Sequence, residues 1–66
     1  MTAEEAKFEL PDVWVRTRCG GMVECRTFGR QEKWATVHNP QTNEAWEFSW
    51  EAVARCVTDG RPLQSE

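Results

Sequence analysis

The sequence predicts a mainly β domain: a small five-stranded antiparallel barrel with a short N-terminal helix. Three observations predict it. Residues 13–19 alternate strictly, with Val13, Val15, Thr17 and Cys19 on one face and Trp14, Arg16 and Arg18 on the other, the period of a half-buried strand. Turn chemistry separates the alternating segments, first at Gly20 and Gly21 and again at the Asn-Pro cluster of residues 39–43. Finally, 66 residues with 39% hydrophobic content, four Trp and three Phe supply one thin core. Closure into a barrel removes the sheet edges that so small a core could not protect.

Each element follows from its residues. Residues 2–8 read as a helix, because Thr2 and Glu5 have capping-box spacing. Pro11 ends it and biases Leu10 toward extended geometry. So short a helix needs support, expected through Phe8 and Leu10. Residues 22–28 return against the first strand. A two-residue loop would set Arg26 opposite Val15, on the apolar face. A loop of residues 20–22 instead sets Val23 opposite Cys19, Cys25 opposite Thr17 and Glu24 opposite Arg18. After a polar turn at 29–32, residues 33–38 form a third strand and 44–49 a fourth. A loop of residues 40–43 pairs Ala35 with Phe48 and Val37 with Trp46. Residues 49–53 suit a single helical or 3₁₀ turn capped by Ser49. Residues 53–58 read as a fifth strand, and the polar tail 59–66 as frayed. The domain thus spans 1–66, with helix 2–8 and barrel 13–58. The competing architecture is an open antiparallel sheet with the helix on one face.

This element order over residues 13–58 resembles that of the small SH3-like and Sm-like barrels. In size, acidity and element order the chain is also similar to the bacterial Rho-inhibitor proteins.

The net charge is −3. Acidic ends flank a basic centre of Arg16, Arg18, Arg26, Arg30 and Lys33, expected to pair across strands. Residues 1–12 lack the basic start and apolar core of a signal peptide, and no apolar run approaches membrane-spanning length. With three cysteines, an odd count, the expectation is a cytoplasmic protein with free thiols.

Enzymatic chemistry finds no support. Cys19, Cys25, Cys56 and His38 lack the C-x₂-C knuckle of a zinc site, so buried core cysteines and no metal are expected. His38 is the one histidine, placed beside a turn and read as solvated, with no adjacent nucleophile and orienting group. The glycines fit no phosphate-binding loop, and no cofactor is expected.

Tryptophan is the informative residue. Trp46 is assigned to the core and Trp50 to a cap on it. Trp14 and Trp34 fall on the other face with Arg16, Arg18 and Arg26, and Trp and Arg are the types most enriched at binding hot spots. These five residues form the candidate site of a non-enzymatic regulator or inhibitor that binds another protein. The alternative partner is single-stranded RNA or DNA, with bases stacked on the indoles and phosphates on the arginines. A sequence pI of about 5.1 favours a protein. A second, acidic surface of Glu44, Glu47 and Glu51 suits the basic groove of a nucleic-acid-handling partner. In this the chain looks like the small acidic inhibitors encoded by phages and mobile elements. A homodimer through the Trp/Arg face is a third expectation.

Overall fold

The structure, a computed structural model, describes residues 1–19, 21–29 and 33–64. The expected turns at Gly20 and 30–32, with Arg30, lie outside them. Thr2 and Glu5 form the capping box that their spacing predicts. The Glu5 backbone N–H donates to Thr2 Oγ1 at 3.2 Å, and the Thr2 N–H donates to Glu5 Oε1 at 3.0 Å. Helix α1 (Ala3–Glu9) ends at Leu10, whose N–H donates to the Ala6 carbonyl. Leu10 is left-handed (φ 50°) rather than extended. The helix-closing bond draws it there, at a cost of about 1–2 kcal/mol for a residue with a Cβ. Phe8 does not pin α1 down: it is 77% exposed, and Ala3, Ala6 and Leu10 make the packing instead.

The strands are β1 (Val13–Arg16), β2 (Met22–Phe28), β3 (Trp34–His38), β4 (Ala45–Ser49) and β5 (Leu63–Gln64). They lie in the order β4-β3-β2-β1-β5, and β5 runs parallel to β1. The sheet is therefore mixed, not antiparallel throughout. β2 divides its pairings. Residues 22–25 pair with β1, and residues 26–28 pair with β3. The sheet curls into a half-barrel.

Two registers compare differently with expectation. Ala35 faces Phe48 and Val37 faces Trp46, as the four-residue loop requires. Asn39, buried in that turn, accepts the Gln41 N–H on Oδ1 at 3.0 Å, and its own N–H donates to the Glu44 carbonyl at 2.8 Å. In the first hairpin, however, Cys25 faces Val13 rather than Thr17. Thr17 explains the slip. Its N–H and its hydroxyl both donate to the Gly21 carbonyl, which closes the turn and ends β1 at Arg16. The slip of four residues is even, so each side chain keeps its face. Cys19 is the exception: beyond the end of the strand, it is exposed and not part of the core.

The last third departs most from expectation. Residues 53–58 are not a strand. Helix α2 (Trp50–Asp59) runs through them, capped by the Ser49 hydroxyl, which accepts the Ala52 N–H, and by Gly60 at φ 70°. Trp50, Val53, Ala54 and Cys56 face inward. The fifth strand lies in the expected tail, where Leu63 pairs with Val15 and is buried.

The core forms between the inner sheet face and α2. Val13, Val15, Cys25, Ala35, Val37 and Leu63 meet Trp50, Val53, Ala54 and Cys56, with Trp46 and Phe48 packed half-buried against them. Buried Thr27 donates its hydroxyl to the Pro11 carbonyl at 2.6 Å, tying β2 to the link between α1 and β1.

Candidate interaction face

The sheet has one covered face and one open one. Alternation places Trp14 and Arg16 of β1, Met22, Glu24, Arg26 and Phe28 of β2, Trp34 and His38 of β3 and Glu47 of β4 on the open side. Four large apolar side chains stand there half exposed: Trp14 at 49%, Met22 at 53%, Phe28 at 48% and Trp34 at 47%. A strand surface facing water normally presents polar residues, and the apolar side chains grouped on this open face depart from that pattern.

The pairings divide this face into two clusters. Near one end, Trp14 lies opposite Glu24 and Arg16 opposite Met22. Near the other, Arg26 lies opposite His38 and Phe28 opposite Thr36, with Trp34 one outward position further along β3. Trp34 is thus six residues beyond the level of Trp14, about 20 Å along the sheet at about 3.3 Å per residue. The two indoles do not share one pocket-sized patch. Arg26, at the near end of the second cluster, lies diagonal to Trp14. Arg18 sits exposed in the turn after β1, off the strand face.

Within the second cluster the side chains fix one another. The Trp34 indole N–H donates to Glu47 Oε2 at 2.7 Å, a charge-assisted bond that holds the ring in one orientation. The Phe28 and His38 rings meet edge to face, with centroids 5.9 Å apart. His38 is therefore half buried against an aromatic ring, not a solvated turn residue. Preformed side chains lose less entropy on binding than mobile ones.

The acidic residues also find their places. Glu44 precedes β4, Glu47 lies on its open face and Glu51 is in the first turn of α2, all exposed. Of the three, Glu47 alone joins the second aromatic cluster, through its bond with Trp34. The sequence gives no sign of that bond, which depends on side-chain orientation across two strands. Met22 and Phe28 were also missed as site residues, although their positions in the alternation of β2 place them outward.

Comparison with family models, with curated proteins and with solved structures returns no match.

The cysteines separate. Cys25 and Cys56 are buried while Cys19 is exposed. Burial pushes the Cys25 thiol above its ordinary pKa, helped by the charges of Glu24 and Glu44. Among the described residues, no three His, Cys, Asp or Glu side chains converge as a metal-binding group.

Proposed function

We propose that this chain is a non-enzymatic binding module that regulates or inhibits another protein through the open face of its sheet. The observation that carries this reading is the row of half-exposed Trp14, Met22, Phe28 and Trp34 side chains on that face. Aromatic rings and Met interleaved with Arg16 and Arg26 have the composition of an interface core. A partner would desolvate the rings, and they supply most of the affinity. Glu47 adjoins the second cluster, and exposed Glu44 and Glu51 add acidic charge that suits a partner with a basic surface, such as a protein that itself handles nucleic acid.

The finer fold assignment, to the SH3-like or Sm-like small barrels, belongs to the same proposal. Its support is the bent β2, shared between β1 and β3, and the half-barrel curl.

The test is affinity capture from host lysate with and without nuclease, followed by mass spectrometry. The proposal expects one dominant protein whose recovery survives nuclease. Recovery that collapses on nuclease treatment, or that consists mainly of RNA or DNA, overturns it in favour of single-stranded nucleic acid.

A further inference from the structure

A second surface opens where the half-barrel fails to close. A groove of about 360 Å³ lies between β4, α2 and the segment carrying β5. Phe48, Ala52, Cys56, Pro62 and Leu63 give it an apolar floor, and Arg55 and Arg61 stand at its rim. Both arginines are exposed, and among the described residues neither forms an ion pair. Glu51 lies one helical turn before Arg55, the spacing at which a helix readily pairs opposite charges, yet the two are not bridged. β4 is the terminal strand of the sheet, paired among the described residues only with β3. Its other edge therefore presents unpaired backbone groups beside an apolar groove with two cations.

We propose that this seam binds an extended peptide of a partner protein, carrying alternate apolar and acidic side chains, as an added strand along β4. Each part of the seam matches one part of such a peptide. The β4 edge supplies backbone hydrogen bonds, as in β-augmentation. Inward-facing apolar side chains fill the groove over Phe48, Ala52 and Leu63. Carboxylates on the other face of the same strand are drawn by the positive charge that Arg55 and Arg61 place at the groove. The added strand lies between β4 and β5 and completes the wall of the half-barrel. This surface is separate from the open sheet face, so either can fail without the other.

The probe is a fluorescein-labelled peptide, Leu-Glu-Val-Glu-Val-Glu-Leu, compared with its Lys-for-Glu counterpart. Binding is read by anisotropy and mapped by ¹H–¹⁵N chemical shifts on the full chain. The acidic peptide should bind at least about tenfold tighter than the basic one, with shifts at Phe48, Ala52 and Leu63. Arg55→Glu with Arg61→Glu should abolish that preference, and Ala52→Phe should weaken binding by filling the groove. Both variants lie at partly or fully exposed positions, and an unchanged spectrum elsewhere verifies the fold. Equal binding of the two peptides, no binding, or shifts confined to Trp14 and Trp34 overturn the proposal. So does displacement of the acidic peptide by decanoate at low concentration, which makes the seam a fatty-acid site. A concentration-dependent dimer broken by the arginine variants also overturns it, because the occupant is then a second copy.

Discussion

Trp14, Trp34 and Trp50 place the same side chain in opposite surroundings. Trp50 is 2% exposed at the start of α2, while the other two stand half out of the sheet. Trp50→Ala should therefore destabilise by about 3–5 kcal/mol, enough to unfold so small a domain. Trp14→Ala and Trp34→Ala should each cost about 1 kcal/mol or less. Urea denaturation of the three variants checks this ordering, and equal losses would contradict it. The thiols make a parallel case. Cys19 should react with a thiol-specific reagent at once, whereas Cys25, buried and with its pKa raised, and Cys56 should react only on unfolding. Rapid labelling of all three in the native protein would contradict the placement of the core. At this scale the alternation was legible for Trp14, Arg16 and Trp34. Cys19 was not, because its face depended on a strand that Thr17 ends early.

Helix α1 rests on its capping box, and the box depends on charge. Glu5 accepts the Thr2 backbone N–H, the larger cause, and the Thr2 hydroxyl also lowers its carboxyl pKa. A lowered folded value means the contribution is present above the ordinary glutamate pKa and is lost as pH falls through the lowered one. The Thr2 amide shift should titrate with a midpoint below about 4.3; a midpoint at or above that value would show the box unformed. The C-terminal elements make the sharper prediction. Leu63 is buried against Val15, so Leu63→Ala should cost about 2 kcal/mol, and a chain ending at Gly60 should lose at least as much. A frayed tail would show neither loss in thermal or urea unfolding. The region misled for a physical reason. Residues 53–58, with two valines in a short run, suit a strand, yet Trp50, Val53, Ala54 and Val57 also fall at helical spacing. The tie is broken by Gly60, the one residue there that takes φ 70° without strain, and by Ser49 ten residues before the helix ends. Leu63, a lone apolar residue in a polar tail, carries too little pattern to announce a strand that pairs with residues nearly fifty positions earlier.

The whole molecule uses its few large side chains on both sides of one thin sheet. Trp46, Phe48 and Trp50 build the core, while Trp14, Met22, Phe28 and Trp34 face outward. A 66-residue chain has little apolar area to spare, and holding four such side chains half in water gives up stability that the core could have used. The proposed binding would recover it. The register spreads these residues over about 20 Å along the sheet, so the proposed partner would meet an extended surface. No helix among the described residues is long and apolar enough to cross a membrane. The sequence exposed the residue types and faces of this arrangement. It did not expose the separation of the two indoles, which follows from how β2 divides its pairings.

The most direct measurement is partner capture by the double variant Trp14→Ala, Trp34→Ala beside the parent chain, with urea denaturation of both. The double variant should keep most of its stability and lose at least about tenfold in recovery of the dominant captured protein. A double variant that unfolds would return both rings to the core, and one that stays folded and captures its partner undiminished would remove the open face from binding; either result contradicts the account.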